Sequence, residues 1–256
     1  MLQVIAIPIL QDNYIWLIRQ AKSNTVIAVD PGTSQELVRF LNEQNLQLSH
    51  ILITHQHGDH IDGLDELKKH WPDAEVLVPA LPFHGEKLKG TACRGGETFN
   101  VMAEVTLSVI AVPGHTFNHV AYLLNTNNQF VLCCGDTLFS AGCGRLFEGT
   151  AEQMFDSLQK INALPEETIL CPTHEYTVAN LNFARVVEPD NLAIVKQLEK
   201  AKALRTQGLP TLPVTLGEER SYNPFLRCDN AELQQRWQQE NALKLFSFLR
   251  NWKNNF

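Results

Sequence analysis

Through its first 174 residues the chain alternates short apolar runs with amphipathic stretches and turn-forming clusters. Residues 14–19 and 25–30 are rich in β-forming types, and the polar Gln20-Ala21-Lys22-Ser23-Asn24 between them reads as a hairpin loop. Asp30-Pro31-Gly32 then breaks the strand pattern. Thr33-Ser34-Gln35-Glu36 offers a capping box, with Leu37, Phe40 and Leu41 as the apolar stripe of the helix that follows. Residues 50–54 form a short apolar run, hence a buried strand, and residues 61–70 read as a helix ended by Pro72. Further strands are predicted near 75–78, 105–112, 119–125 and 129–134. Thr150 with Gln153 opens another helix, in which Met154, Leu158 and Ile161 share a face, and residues 168–171 return as a strand.

The pattern changes after Pro172. Ala179, Phe183, Val186 and Val187 fall on one helical face, and so do Ile194, Val195, Leu198 and Ala201. Residues 210–222 read as irregular, and 231–240 and 241–251 as helical again. The boundary therefore falls near residue 174. An α/β domain spans 1–174 and a smaller, mostly helical domain spans 175–256.

Composition narrows the classes. Of 256 residues, 44% are hydrophobic and 19% charged, which supplies a sizeable core and excludes a disordered chain or a small disulfide scaffold. No apolar run approaches the roughly 18 residues that a membrane span needs. The first eight residues lack a basic region, the first cation being Arg19, so a cleavable signal is not expected. The net charge of −7 disfavours nucleic acid as a partner. That charge is uneven: 10 Lys and Arg face 19 Asp and Glu in residues 1–174, against 11 and 9 in 175–256. An acidic front suits cations, and a basic rear suits an anionic ligand. The six cysteines (93, 133, 134, 143, 171 and 228) form no C-x-x-C pair, and Cys133-Cys134 sits in an apolar run. Reduced, buried thiols in a cytoplasmic protein are expected.

The chemistry concentrates in Thr54-His55-Gln56-His57-Gly58-Asp59-His60, directly after a predicted strand. Because strand residues alternate faces, His55 and His57 can point the same way, and the following turn can bring Asp59 and His60 to a second point. A zinc ion takes about four ligands, so this loop can seed two metal positions. The bland alternative is a histidine-rich surface loop. Three more motifs each put a His or Asp at the C-terminal end of a predicted strand: Pro113-Gly114-His115-Thr116, Cys134-Gly135-Asp136-Thr137 and Pro172-Thr173-His174-Glu175. Any one of them alone reads as a hydrogen-bonded structural residue. Together, on a rigid scaffold, they describe a cleft. His119 reads as a packed residue, with an outer contact to the ligand loop as the alternative. Asp30 either orients that loop by accepting hydrogen bonds or stabilises its own turn. His50, His70 and His84 read as ordinary surface or packing residues.

The ordered set T-H-x-H-x-D-H, G-H, G-D and a late His resembles the signature of the metallo-β-lactamase superfamily. Within it, Gly135-Asp136-Thr137-Leu138-Phe139, Gly142-Cys143-Gly144-Arg145, Phe147-Glu148-Gly149-Thr150 and His174-Glu175-Tyr176-Thr177 resemble the glyoxalase II, or hydroxyacylglutathione hydrolase, family. Asp12-Asn13-Tyr14-Ile15 and Val29-Asp30-Pro31-Gly32 resemble it too, so the likeness runs over nearly the whole chain. It implies a four-layered αβ/βα sandwich followed by a helical domain. It implies two divalent cations: zinc first, with iron or manganese also suited. His55, His57 and His115 would hold one metal, Asp59, His60 and His174 the other, and Asp136 would bridge them with a water-derived hydroxide.

The activity implied is hydrolysis of S-D-lactoylglutathione and other 2-hydroxyacyl-glutathione thioesters to the acid and glutathione, the second step of methylglyoxal detoxification. Asp59 and Asp136 would be the catalytic carboxylates, Asp59 either orienting the nucleophile and accepting a proton or serving only as a ligand. The resemblance places Arg145, Tyr176, Arg250 and Lys253 at glutathione-contacting positions. Phe147 stands there where some relatives have Tyr, and Arg145 where many have Lys. Taken alone, Arg250 and Lys253 would read as a solvated helix end. A monomer is expected. Two rivals remain: a single-iron persulfide dioxygenase of the same fold, which the long helical tail argues against, and a non-enzymatic metal-binding scaffold, whose mark would be a broken ligand set.

Overall fold

The computed structural model describes residues 1–80, 88–126 and 128–256; His84 lies outside the described residues. The chain divides into two compact units. One comprises Met1–Ala111 and Asn118–Gly135, the other Val112–Phe117 and Asp136–Phe256.

In the first unit, β1 (Leu2–Ile9), β2 (Asn13–Gln20), β3 (Thr25–Val29), β4 (Gln47–Leu52), β5 (Glu75–Pro79) and β6 (Thr91–Cys93) form one sheet in sequence order. The first three are antiparallel and the rest pair in parallel. A parallel step needs a crossover, and helix α1 (Gln35–Glu43) supplies it between β3 and β4. Ile15, Leu17, Val26, Ala28, Ile51 and Ile53 pack against Leu37 and Leu41 of this helix. Trp16, Ile18, Ile27, Val29 and Leu52 point the other way and are equally buried. Cover on both faces is why these strands read as continuous apolar runs rather than alternating ones. β7 (Thr98–Met102), β8 (Val105–Ala111), β9 (Val120–Thr126) and β10 (Gln129–Gly135) run as an antiparallel meander. Tyr122 of β9 donates its hydroxyl to the Ile53 carbonyl at 2.9 Å, tying the meander to the exit of β4.

Two local expectations fail here, and the edge strand goes unread. β1 is not predicted, because Gln3 and Pro8 interrupt its apolar pattern; as an edge strand it tolerates the proline. The helix expected over 61–70 is two helices, α2 (Gly58–Ile61) and α3 (Leu64–His70). They part at Gly63, where a Cβ would stand 2.6 Å from the Pro31 carbonyl oxygen, too close for any other residue. The capping box before α1 does not form: Ser34 makes no side-chain cap. Instead Thr33 donates its hydroxyl to Glu36 at 2.6 Å, which holds that carboxyl below its ordinary range.

The second unit begins with a short hairpin, β11 (Leu138–Phe139) and β12 (Gly142–Cys143). Helix α4 (Ala151–Asn162) follows, with the predicted capping box of Thr150 and Gln153 complete and Met154, Leu158 and Ile161 buried. β13 (Ile169–Pro172) leads to α5 (Thr177–Val187) and α6 (Leu192–Thr206). The α5 face is rotated from the predicted one. Ala179 and Val186 are exposed, and Asn180, Leu181, Ala184 and Val187 are buried. The polar Asn180 disguised this face; its amide donates to the Ser140 carbonyl at 3.0 Å, which makes burial tolerable. Residues 210–222 are not irregular throughout, for they include β14 (Val214–Thr215), antiparallel to β13, and α7 (Leu216–Tyr222). A complete capping box of Thr215 and Glu218 starts α7. α8 (Ala231–Arg236) and α9 (Ala242–Asn254) close the chain. Phe155 of α4 packs on Phe246 of α9, and Phe225 joins Phe246 to Phe183 of α5.

Candidate functional site

Strand ends present the candidate donors in both units. In the first, the chain leaves β4 through Thr54 into the His55–His60 loop. Asp30 organises this exit, as expected of one of its two readings. Its Oδ1 accepts the Thr54 amide at 2.8 Å and its Oδ2 the Thr54 hydroxyl at 2.7 Å. Asp30 Oδ2 also lies 3.0 Å from His60 Nδ1. Asp30 sits at φ 52°, a left-handed conformation that Asp tolerates better than most residues. Two residues on, Gly32 lies against the Asp59 backbone, where a Cβ would stand 1.9 Å from the carbonyl oxygen. The Asp30-Pro31-Gly32 turn is thus built to receive the ligand loop.

Within that loop, His55 Nε2 and His57 Nδ1 lie 2.9 Å apart. Candidate donor atoms of His55 and His57, of His55 and His60, and of Asp59 and His60 lie within 4.8 Å of each other. His55 and His60 are fully buried. Asn13 donates its amide to Asp59 Oδ2 at 2.9 Å, a role that nothing in its own stretch of sequence signals. His119 stacks on the His55 ring at 4.7 Å, the outer contact that was the alternative reading for it. His50 and His70 pair only with Glu75 and Glu66 among the described ion pairs.

In the second unit, His115, Asp136 and His174 converge. His115 Nε2 lies 3.4 Å from Asp136 Oδ2, and His174 Nε2 lies 3.4 Å from Asp136 Oδ1. One carboxylate thus offers a separate oxygen to each of two imidazoles. His115 Nδ1 is 2.9 Å from the Arg145 carbonyl, an acceptor that puts the ring proton on Nδ1 and leaves the Nε2 lone pair for a cation. His60 Nδ1 faces an Asp30 carboxylate oxygen at 3.0 Å, an ion-pair contact. His174 is sandwiched by aromatic rings: Tyr176 stacks on it at 4.7 Å and Phe139 meets it edge-on at 5.8 Å. These His and Asp groups are able to bind metal ions, and no thiolate is among them.

A cavity of about 490 Å³ opens beside His115 and Asp136 in this unit. Arg145, Phe147, Tyr176, Arg250 and Lys253, the five residues expected to meet substrate, all line it. Arg250 is far from a solvated helix end. It is 3% exposed, and its Nη1 donates to the carbonyls of Cys143 at 2.6 Å and Gly144 at 3.3 Å. Its Nε is buried and has no hydrogen-bond partner among the described residues. Lys253 Nζ stands over the rings of Phe183 and Phe256, 5.3 and 5.4 Å from their centroids. Burial, and then the charges of Arg250 and Arg145, pull its ammonium down to about 8. Phe147 is 63% exposed and packs edge-on to His115.

The six cysteines are all buried, as expected, and none is joined in a disulfide. No helix among the described residues is long and apolar enough to cross a membrane. Sequence reasoning missed the polar seat under the β11–β12 turn, made by Asn180, Glu219 and Asn223. An acid or amide on a helix reads as a solvated position unless its partner is known.

Two family models match the chain. The metallo-beta-lactamase superfamily model covers residues 10–174, and the model of the hydroxyacylglutathione hydrolase C-terminus covers 175–256. The chain is 45% identical over 262 residues to the hydroxyacylglutathione hydrolase of Photobacterium profundum, covering 100% of both chains. It is 44% identical over 265 residues to that of Aeromonas salmonicida, again covering 100% of both. Among solved structures, ETHE1 from Myxococcus xanthus matches with a TM-score of 0.64 at 21% identity, over 99% of this chain and 98% of that one. The last likeness is one of fold, and the fold is that of the metallo-β-lactamases, sheets flanked by helices with a helical C-terminal domain.

Proposed function

The chain belongs to the hydroxyacylglutathione hydrolase family of the metallo-β-lactamase superfamily, and from that premise we propose how its residues divide the hydrolysis of a glutathione thioester. The substrate is S-D-lactoylglutathione or another 2-hydroxyacyl-glutathione, and the products are the hydroxy acid and glutathione. Residues 1–174 carry the metal donors, and 175–256 carry most of the glutathione contacts. His55, His57 and His115 would hold one divalent cation and Asp59, His60 and His174 a second, with the Asp136 carboxylate serving both. The observation that carries this reading is the Asp136 carboxylate, with His115 at one oxygen and His174 at the other, each at 3.4 Å. An all-imidazole and carboxylate donor set suits zinc, then iron or manganese.

When bound, such cations supply a water-derived nucleophile near neutral pH and stabilise the oxyanion of the attacked carbonyl. The chain's own groups do the rest. Asp59, held by Asn13, orients the attacking water and takes its proton. The departing thiolate has a parent pKa of about 8.5, so no general acid is required. The reading includes a monomer in the cytoplasm: buried cysteines outside any disulfide fit a reducing compartment, and the net charge of −7 argues against nucleic acid. The dioxygenase rival is disfavoured because residues 175–256 match the hydrolase C-terminus. The scaffold rival is disfavoured because none of the seven donor positions is lost.

The test is metal analysis of the purified protein joined to a thioester-hydrolysis assay. Two metals per chain are expected, with activity lost on chelation and restored by zinc. Turnover that survives complete chelation overturns the reading.

Substrate binding has its own test. A glutathione thioester carries two carboxylates and one ammonium. Beside Arg145 and Tyr176, the donors that α9 brings to the cavity to meet it are Arg250 and Lys253. Replacing both by Ala is expected to raise KM about tenfold or more, since each charge-assisted hydrogen bond contributes roughly 1.5–3 kcal/mol, and to lower kcat less. Because Lys253 titrates near 8, its charge is present below that pH and lost above it. The KM of the wild type should therefore climb as pH passes 8, and Lys253→Ala should flatten the climb. An unchanged KM in the double variant removes α9 from recognition.

A further inference from the structure

The β11–β12 hairpin joins Asp136 to Arg145, and its turn rests on side chains from the helices. Ala141 in that turn has φ 56°, a left-handed conformation that costs a residue with a side chain about 1–2 kcal/mol. Glu219 of α7 holds it there. Fully buried, its Oε2 accepts the Ala141 amide at 2.8 Å and its Oε1 the Ser140 hydroxyl at 2.7 Å. Tyr222 donates its hydroxyl to the same Oε1 at 2.7 Å. Asn223 donates to Glu219 Oε2 at 2.9 Å, to the Phe139 carbonyl at 3.2 Å and to the Gly142 carbonyl at 3.1 Å. The carboxylate therefore accepts four hydrogen bonds, all from the turn or from its own helix end. Burial pushes its carboxyl up to about 7, so the fold keeps an acid where burial disfavours one.

The hairpin connects this seat to the site through packed side chains. Phe139, one residue before the turn, packs edge-on against both His174 and Tyr176. At the base, Gly144 donates to the Thr137 carbonyl at 3.2 Å and lies so close that a Cβ would stand 1.9 Å from the Asp136 carbonyl oxygen. The outgoing strand has anchors of its own, Arg250 on the Cys143 and Gly144 carbonyls and His115 on the Arg145 carbonyl. On the incoming side, Asp136 immediately precedes Thr137, whose hydroxyl donates to the Val112 carbonyl at 3.4 Å, and the Phe139 carbonyl beside the turn accepts from Asn223.

We propose that Glu219 is a positioning residue for Asp136 and His174, acting through the hydrogen-bonded turn Ser140-Ala141 and the ring of Phe139. The inference rests on the functional reading above, which makes those two side chains metal ligands. The test compares wild type, Glu219→Gln and Glu219→Leu for zinc affinity, kcat and KM toward a glutathione thioester, and melting temperature. Glutamine can keep the seat. Its carbonyl oxygen can face the Ala141 and Asn223 donors while its amide faces Ser140 and Tyr222, whose hydroxyls can turn to accept. Leucine offers no acceptor.

Glu219→Gln is expected within about threefold of wild type in kcat and zinc affinity. Glu219→Leu is expected to lose about 10²-fold in kcat per zinc-loaded chain, the cost of roughly a 1 Å misplacement, with KM within about threefold. Its zinc affinity should fall about 10–100-fold. A merely structural role would lower the melting temperature and leave kcat per zinc-loaded chain and zinc affinity unchanged; that result overturns the proposal. If the leucine variant does not fold, Asn223→Ala, which deletes the hydrogen bond to Glu219 and the two to the hairpin carbonyls, must show the same signature at about tenfold. Wild-type values there also overturn it. Failure of zinc-loaded wild type to hydrolyse the thioester refutes the functional reading instead, and the zinc affinities of the variants still decide the role of Glu219.

Discussion

Asp136→Asn is expected to lower kcat by at least about 10²-fold and to release metal from the purified protein. The size follows from what the substitution removes. Asparagine keeps the shape of a side chain that is 6% exposed, so the hairpin and the strand end should stay in place. It replaces one carboxylate oxygen by an amide nitrogen, which has no lone pair for a cation, and it removes the negative charge. Loss of an outer hydrogen-bond partner of a metal ligand typically costs about 10–100-fold in affinity or activity, and loss of a ligand shared by two positions should exceed that. Whichever oxygen is replaced, one of His115 and His174 then faces an amide donor at the 3.4 Å contact. Metal analysis and steady-state kinetics on the same preparation check this. Wild-type turnover with full metal content would remove Asp136 from the centre of the site. Melting temperatures taken in chelator separate the metal effect from the fold, because the metal-free variant should be no less stable than metal-free wild type.

The placement of His and Asp at strand ends was legible because it rests on short-range pattern. Continuous apolar runs mark strands buried on both faces, and β4, β8, β10 and β13 each stop where the predicted His or Asp motif begins. Thr150 and Gln153 were legible for a similar reason: a capping box is a contact between residues three apart. Legibility fails where a polar residue is buried by a distant partner. Asn180 rotated the predicted face of α5 because its partner, the Ser140 carbonyl, lies 40 residues away in sequence. Glu219 lies in a stretch that reads as irregular, and its hydrogen bonds reach Ser140 and Ala141, far away in sequence. Arg250 carried the same ambiguity: spacing alone could not say that its guanidinium turns inward onto the Cys143 and Gly144 carbonyls. In each case the sequence displays the polar group, and only the fold displays what satisfies it.

Asp30 provides the second large effect, through the tautomer of a histidine rather than through a ligand bond. Its carboxylate accepts from Thr54 twice and faces His60 Nδ1 at 3.0 Å. A carboxylate oxygen at that distance favours the His60 proton on Nδ1, which would leave Nε2 a lone pair. Asp30→Asn retains the volume and can still accept the Thr54 amide through its Oδ1. Its Nδ2 then faces the Thr54 hydroxyl and His60 Nδ1 as a donor. His60 must either accept at Nδ1, which moves its proton to Nε2 and blocks the lone pair, or break the contact. Affinity for a cation at His60 is therefore expected to drop about 10–100-fold while the metal-free melting temperature changes little. Asp30→Ala differs in kind: it strands the buried Thr54 amide and hydroxyl, costing roughly 1–3 kcal/mol for each unsatisfied group, so stability and metal affinity fall together. Metal titration and thermal unfolding in chelator distinguish the two variants. If Asp30→Asn binds metal as wild type does, the proton on His60 is set by something other than Asp30, and the turn of Asp30-Pro31-Gly32 serves only to shape the loop.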